Sequence, residues 1–418
     1  MSLFAMKKPF SENVHYFLKW MVLGCIIGGI GGLAGGFFAR CIVWVTEFRQ
    51  ENDWTLFLLP AAGVLIVLLY RITGEEKNRG TNMVIEAISS NEEVSGATGP
   101  LIFISTVLTH LAGGSAGREG AALQLGGSIG NVIGHRIDLD EKDKKIAVMC
   151  GMSAVFGALF GTPVAAAIFS MEVISIGVMY YAALVPCLLS SFLGASMAEF
   201  LGVEKESYSI LQMPELGLSS GAYVIVLGMM CAVVSIGFCM LLHGSEHFWK
   251  KRLANPYLRI LAASALLMIM TFLAGTRDYN GGSMGLIESA MEGHARYWDF
   301  LLKALFTAVT LGGGFKGGEI VPTLCVGSTF GCVVGQLTGI SPSFSAACGM
   351  AALFVGVTNC PVSSLLIALE LFGGEGLPFF AIVVAVSFTL SGYYGLYSSQ
   401  KFVYSKTKTE FINRKTNE

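Results

Sequence analysis

Long apolar stretches recur along the whole chain, and they restrict its fold more than any other feature. The stretches at 20–46, 54–70, 180–201, 221–242 and 258–275 reach or approach the roughly 20 residues with which an α-helix crosses a bilayer. Only 13% of the 418 residues are charged, against roughly a quarter in a typical soluble domain. The sequence therefore predicts an all-α polytopic membrane protein that is surrounded by a lipid bilayer.

The charge balance and the cysteines argue against several classes of partner. The formal net charge is −2, which gives no basis for a nucleic-acid partner. The ten cysteines lie mostly inside apolar stretches, and their spacing matches no metal-binding pattern. We therefore expect buried thiols, no metal site and no cofactor.

The chain contains an internal duplication. The glycine-rich segment 113–128 aligns with 313–328 at an offset of 200 residues, which pairs Glu119 with Glu319. The flanking pairs keep the same order and are 80–87 with 282–289, Gly151-Met152 with Gly349-Met350, Pro163-Val164 with Pro361-Val362, and Glu172 with Glu370. Such repeats are typical of transporters, and halves that cross the membrane an odd number of times are inverted relative to each other.

The duplication and the polarity of the chain predict its organisation. The predicted segments are a cytoplasmic N-terminus at 1–13, a first membrane half at 14–201, an aqueous linker at 202–220, a second membrane half at 221–400 and a cytoplasmic tail at 401–418. The basic segments 136–145 and 249–259 are both predicted to be cytoplasmic, because loops rich in lysine and arginine stay inside.

Two glycine-rich turns, at 113–120 and 313–320, are predicted to open helices. Glycines let backbone N–H groups face inward, and unpaired N–H groups at a helix start bind anions. Two such turns facing each other would hold an anion without a full positive charge, so the anion would be free to leave. The alternative is that the glycines only allow helices to cross closely.

Glu119 is the strongest single candidate for a functional residue. A carboxylate at bilayer depth costs about 2.5–3.5 kcal/mol even on lenient scales. We expect Glu119 to face a water-filled pathway, to compete with an anion when ionised and to carry a proton when neutral. Arg118 is not expected to neutralise it simply, since adjacent helical residues point in different directions; a buried salt bridge is the alternative. Glu319 is expected to occupy the same place in the second half, as a second proton carrier or a donor to the anion, unless it lies at the membrane edge near Lys316.

Two other features carry weaker signals. Glu172 and Glu370 each end a repeat-matched helix, and their symmetry favours a packing role, such as bonding to a loop amide. The tyrosine-rich stretch 393–400 either donates a hydroxyl into a pathway or anchors the chain at the membrane interface.

From about residue 14 to 400, these motifs together resemble the CLC family of chloride channels and anion/proton antiporters. "AGREGAALQLGGSIG" resembles the family's G-K/R-E-G-P element, "GGEIVPTLCVGSTFG" its G-x-F-x-P element, and "GLYSSQ" the segment that holds its pore tyrosine. The resemblance implies the CLC fold of two inverted repeats with re-entrant broken helices, and a homodimer with one pathway per subunit. It also implies that Glu119 is the gating glutamate and that Tyr397, rather than Tyr404, is the central anion ligand.

The departures from the chloride-selective pattern resemble the bacterial fluoride branch of this family. The stretch 80–84 lacks the proline of that pattern and offers an asparagine amide, while Ile320 replaces a phenylalanine directly after Glu319. Val173 stands where the family has an inner proton glutamate, so Glu119 would have to carry protons between both sides. The anion-binding residues implied by the resemblance are Thr81, Asn82, Met83, Gly117, Arg118, Gly120, Ile320, Val321 and Tyr397.

The predicted function is fluoride/proton antiport that exports fluoride across a bacterial inner membrane. Fluoride is a small, strongly hydrated acceptor, so its site needs strong hydrogen-bond donors. The alternatives within the family are a chloride/proton antiporter and a passive anion channel. An intramembrane enzyme is not expected, because Ser128 and His135 would be separated by roughly 10 Å along one helix.

Overall fold

A computed structural model of the protein describes residues 3–90 and 92–417. Residues 1 and 2 of the predicted N-terminal segment, residue 91 of the predicted first half and residue 418 of the predicted tail lie outside the described residues. Helices dominate, so the predicted all-α membrane class is confirmed. Six of the described helices are long and apolar enough to cross a bilayer.

The helices form two series of eight that follow the same order of long and short elements. The first series consists of α1 (Leu3–Glu51), α2 (Leu59–Ile72), α3 (Thr81–Ser89), α4 (Thr98–Ala112), α5 (Glu119–Arg136), α6 (Glu141–Phe160), α7 (Pro163–Glu172) and α8 (Leu184–Phe200). The second series consists of α9 (Leu218–Arg252), α10 (Pro256–Ala274), α11 (Met284–Met291), α12 (Asp299–Gly313), α13 (Ile320–Thr338), α14 (Pro342–Thr358), α15 (Pro361–Phe372) and α16 (Leu377–Leu390). Short 3₁₀ helices precede α2 and α8, at Asp53–Leu58 and Tyr181–Ala183.

Two of the predicted segment boundaries do not coincide with helix ends. α1 is already helical at residue 3 instead of starting near 14, and α9 begins at residue 218 instead of 221. A helix satisfies its backbone hydrogen bonds internally, so it continues past the lipid into water without losing them. A change in composition along the chain therefore does not have to coincide with the end of a helix.

Equivalent helices of the two series run in opposite directions. The ion pair between Lys19 and Asp143 places the early part of α1 beside the start of α6. At the other end of α1, Arg277, which follows α10, donates to Arg49 O at 3.1 Å and to Asp53 Oδ1 at 2.7 Å. α1 and α10 therefore run in the same direction, whereas the tight 253–255 turn reverses the chain between α9 and α10. The predicted inverted repeat is confirmed.

The same contacts place the basic segments 136–145 and 249–259 on one face of the protein. The first contains Asp143, which pairs with Lys19, and the second spans the turn at the start of α10. The rule that positive loops stay inside predicts that this is the inner face, and we use that name for it. The 52–58 and 275–283 segments lie on the opposite, outer face.

The helices that begin at the two glycine-rich turns are held by close backbone contacts. A Cβ at Gly327 in α13 would lie 2.6 Å from the carbonyl oxygen of Gly349 in α14. Likewise, a Cβ at Gly130 in α5 would collide with the carbonyl of Ala147 in α6. Only glycine allows these approaches, and the resulting pairs fix the directions of α5 and α13.

The C-terminal tail adds a small sheet to the helical fold, which the sequence did not predict. Its strands are β1 (Ser175–Ile176), β2 (Lys401–Tyr404) and β3 (Phe411–Lys415), with β1 parallel to β2 and β2 antiparallel to β3. Gln400, just before β2, donates at 2.9 Å to both Val173 O and Thr358 O. The segment after α7 has free backbone groups, and the tail pairs with them.

Candidate ion pathway

The two glycine-rich turns meet inside the protein. The N–H of Gly117 donates to Gly318 O, and the N–H of Gly318 donates to Gly117 O, both at 2.7 Å. α5 begins two residues after the first glycine and α13 two residues after the second. The N-termini of both helices therefore point toward one place, as the duplication predicts.

The structure corrects the register of the duplication by one residue. Gly117 pairs with Gly318, the left-handed helix ends fall at Gly113 and Gly314, and α5 and α13 begin at residues 119 and 320. Each offset is 201 and not 200, by subtraction. The glycine pairs on which the alignment rested tolerate a one-residue slip, because glycines are adjacent in both turns. Ile320 is therefore the equivalent of Glu119, and the expectation that Glu319 occupies the same place as Glu119 is wrong.

The carboxylate of Glu119 lies between the two helix starts. Its side chain is fully buried, and Oε2 accepts the N–H of Arg118 at 3.0 Å and the N–H of Val321 at 3.3 Å. One of these donors belongs to each repeat. The carboxylate thus occupies the place where the helix N-termini would otherwise bind an anion.

Arg118 lies closer to this carboxylate than we expected. Its Nε is 3.6 Å from Glu119 Oε1. Arg118 is the N-cap residue of α5 and precedes its first turn, so the angle between successive side chains of a helix does not apply to this pair. Its Nη2 also pairs with Glu206 and donates to Leu159 O. Glu206 belongs to the predicted aqueous linker and was missed, since the sequence does not show that the linker folds back to this arginine.

Two cavities approach Glu119 from opposite faces. The outer cavity has a volume of about 830 Å³, and its walls include Gly117, Arg118 and Val321. The inner cavity has a volume of about 420 Å³. Its walls include Thr81, Asn82, Gln124, Glu319 and Tyr397. The buried carboxylate of Glu119 and the paired turns separate the two.

Three polar atoms in the wall of the inner cavity, and one oxygen of the nearby Glu119 carboxylate, have no hydrogen-bond partner among the described residues. They are Glu119 Oε1, Gln124 Oε1, Glu319 Oε2 and Tyr397 Oη. Buried polar atoms normally find partners, so such a cluster marks a place for water or a polar ligand. Gln124 was not singled out from the sequence, although a glutamine one turn and a half after Glu119 in the re-entrant helix was an available signal.

The first turn of α3 contributes side chains to this cavity. Asn82 Oδ1 accepts the N–H of Ser399 at 3.0 Å, which turns the amide NH₂ group away from that bond. The hydroxyl of Thr81 donates to Gly120 O at 3.4 Å. A Cβ at Gly120 would lie 3.1 Å from Glu319 Oε2 and 3.4 Å from the hydroxyl of Thr81. The side chains of α3 and of the second glycine-rich turn therefore come together at Gly120.

Two backbone amides in the predicted anion set are already engaged. The N–H of Gly117 forms the bridge between the turns, and the N–H of Met83 donates to Gly80 O at 3.1 Å. Helix and turn bonding takes these donors, so neither amide is free for an anion. Glu319 is no membrane-edge residue, and Tyr397 is buried whereas Tyr404 is exposed.

The predicted packing role of Glu172 and Glu370 is confirmed, and the two residues act reciprocally. Glu172 at the end of α7 accepts the N–H groups of Val362 and Ser363 at the start of α15, at 3.0 and 2.8 Å. Glu370 in α15 accepts two N–H groups at the start of α7, at 3.2 and 2.8 Å. Each carboxylate therefore caps the other repeat's helix, where negative charge is favourable.

The serine and histidine of the enzyme alternative bond elsewhere. Ser128 donates to Ser95 O, and His135 contacts Asn131 O and Glu93. In the described part of the chain, histidine, cysteine and acidic side chains form no group of three or more that suits a metal ion.

Inverted helix repeats, converging helix N-termini and a carboxylate between two cavities define a membrane ion-transport protein. The model of the voltage-gated chloride channel family matches residues 62–392, most of the chain. The protein belongs to this family, the CLC family, as its motifs predict.

Relatives of known description agree with this assignment. A chloride/fluoride channel protein of Pseudomonas syringae pv. tomato is 32% identical over 402 residues, which are 94% of this chain and 89% of that protein. The crystal structure of a CLC-type fluoride/proton antiporter has a TM-score of 0.88 and 33% identity, and the match covers 92% of this chain and 98% of that one. The structure of a slow cyanobacterial Cl⁻/H⁺ antiporter has a TM-score of 0.73 at 18% identity, covers 89% and 94% of the two chains, and supports the fold alone.

Proposed function

We propose that this protein exports fluoride from the cytoplasm in exchange for protons. The relatives described as handling fluoride support the substrate. The observation that carries the proposal is the position of the Glu119 carboxylate, which accepts N–H groups from both repeats and closes the path between the cavities. A transporter that protects the cytoplasm in this way would use the inward proton gradient to remove fluoride that enters as neutral HF.

Exchange follows from competition for one place. The ionised Glu119 and an anion compete for the same donors, the N–H groups of Arg118 and Val321, so only one of them can bind there at a time. When Glu119 takes up a proton it loses this charge-assisted attraction, leaves, and lets an anion in. The proton and the anion thus use the same gate in alternation.

The inner cavity supplies the donors that fluoride needs. The Tyr397 hydroxyl has no partner among the described residues and faces this cavity, and Glu319, once protonated, would donate a second hydrogen bond. Asn82 would add its amide NH₂ group. Strong donors of this kind replace the tightly held water of fluoride.

The test uses purified protein in liposomes loaded with fluoride, with a fluoride electrode and a pH probe read together. Fluoride efflux should be accompanied by proton uptake in a fixed ratio, and Glu119→Gln should abolish the proton movement. Glu215→Gln, an exposed linker residue, is the control and should behave as the wild type. Coupled proton uptake that survives in Glu119→Gln would refute the assigned role. Proton-free efflux would indicate a channel, and equally fast chloride efflux a chloride antiporter.

We also propose that the protein is a homodimer with one pathway in each subunit. The support is the family resemblance. Light scattering of the protein in detergent, corrected for bound detergent, should give twice the 44.5 kDa mass of the chain. A single-chain mass with full transport activity would contradict it.

A further inference from the structure

Arg49, in the last turn of α1, is a buried cation without a counter-ion. The residue is only 4% exposed, and its Nε has no hydrogen-bond partner. Among the described residues, no carboxylate forms an ion pair with Arg49 and no acceptor bonds to its side chain; its Nε, unlike the two terminal nitrogens, is fully enclosed. A guanidinium remains charged in proteins, and a buried unpaired charge is strongly unfavourable. An anion in the adjoining cavity would therefore compensate a charge that no described residue pairs with.

The guanidinium lies at the wall of the outer cavity. This cavity, of about 830 Å³, also reaches Arg118 and Val321, whose N–H groups hold Glu119. Gly281 makes room for Arg49, since a Cβ there would lie 2.8 Å from its Nη2. Ser283, two residues further, lines the same cavity and has a buried hydroxyl without a partner. Two unsatisfied polar groups of different elements thus face one space.

The other cations of the outer cavity are compensated, which distinguishes Arg49 from them. Arg296 pairs with Asp278 at 2.6 Å and with Asp299 at 2.9 Å. Arg277 donates to four acceptors around the turn that follows α1. These arginines hold the outer loops in place, whereas the side chain of Arg49 bonds to no described residue.

We propose that Arg49 forms a halide site in the outer cavity, separate from the site between the helix N-termini. The fluoride identity of the ion rests on the proposed function, whereas the existence of the site does not. An ion released past Glu119 enters the cavity that Arg49 faces, so this site is the next binding site on the exit path. A lone guanidinium facing a water-filled space attracts an anion yet allows it to leave, which conduction requires.

Bromide is the probe for the site itself, because its anomalous X-ray scattering locates it directly. Crystals of the full-length protein grown in bromide should show an anomalous peak within hydrogen-bond distance of the Arg49 guanidinium. The peak should vanish in Arg49→Gln and persist in Arg296→Gln, the matched variant of a paired arginine in the same cavity. No peak at Arg49 in the wild type, or a peak that persists in Arg49→Gln, would overturn the proposal.

Fluoride efflux from liposomes tests the role in transport. Arg49→Gln should slow efflux by roughly tenfold, because an ion released past Glu119 then lacks the positive charge that attracts it into the outer cavity. The ratio of protons to fluoride should not change, because Glu119 is untouched. Arg49→Lys keeps the charge and should restore most of the rate, which a purely structural role would not predict. An unchanged rate in Arg49→Gln would refute the exit role. If the wild type moves no fluoride at all, the proposed function fails while the bromide peak still decides the site.

Discussion

The reciprocal caps allow a comparison between two equivalent carboxylates in one protein. Glu172 accepts two backbone N–H groups and the hydroxyl of Ser363, at 3.0, 2.8 and 2.5 Å. Glu370 accepts two backbone N–H groups only. Glu172 is also the more buried of the two, so water can less easily take over its hydrogen bonds when the side chain is removed. We predict that Glu172→Ala destabilises the protein more than Glu370→Ala does.

The expected magnitudes follow from the bond counts. A hydrogen bond to a charged group contributes about 1.5–3 kcal/mol, and neighbouring losses are partly offset by relaxation and water. The loss of three bonds in Glu172→Ala should therefore lower the free energy of unfolding by about 3–5 kcal/mol, and the loss of two in Glu370→Ala by about 2–3 kcal/mol. The double variant should be close to additive, since each residue caps a different helix.

Unfolding in mixed micelles of rising SDS fraction, followed through the fluorescence of the five tryptophans, measures these differences. Glu172→Gln, which retains one acceptor oxygen, should lie between the wild type and Glu172→Ala. An equal or smaller effect of Glu172→Ala than of Glu370→Ala would refute the argument from bond number and burial.

Further predictions concern packing, the anion site and a helix cap. Gly130→Ala should prevent correct folding, because the new methyl group meets the Ala147 carbonyl, whereas Gly237→Ala in open space should be neutral or slightly stabilising; yields of monodisperse protein compare them. Tyr397→Phe should weaken fluoride binding by roughly tenfold in calorimetric titration, as one hydrogen bond to an anion is lost. The side chain of Asp140 caps the start of α6, and the N–H of Asp143 holds the pKa of this carboxyl below its ordinary value, so the cap stabilises the protein at pH values above that ordinary pKa. The stability difference between the wild type and Asp140→Ala should therefore shrink as pH falls below about 4, and an unchanged difference would contradict it.

The candidate site shows where a sequence pattern is reliable. Glu119 was found because a carboxylate in an apolar, glycine-rich stretch is costly and needs a reason, and the structure gives it buried amide partners from both repeats. Glu319 was placed one residue out of register, since repeated glycines tolerate a slip and only the bridge between Gly117 and Gly318 fixes the alignment. Its side chain still reaches the inner cavity, because the helix cap position points there.

Contacts between distant segments were beyond the reach of the sequence. The pairing of Glu206 with Arg118 joins residues 88 positions apart, and the contact between Asn82 and Ser399 joins residues 317 apart. Arg49 ends an apolar stretch, and no feature of the sequence distinguishes it from other arginines in that position. Its burial without a counter-ion is visible only once the outer loops are folded over it.

The sequence by itself determined that the chain is a helical membrane protein with a duplicated half and a carboxylate at depth. These properties depend on local composition and periodicity, which lipid and helix geometry translate directly into structure. The tertiary structure alone decided the register of the repeats, the donors that hold Glu119, the two cavities and the isolation of Arg49. These four features depend on which backbone and side-chain groups come into contact between distant parts of the chain. Such contacts are determined only when the two inverted halves pack against each other.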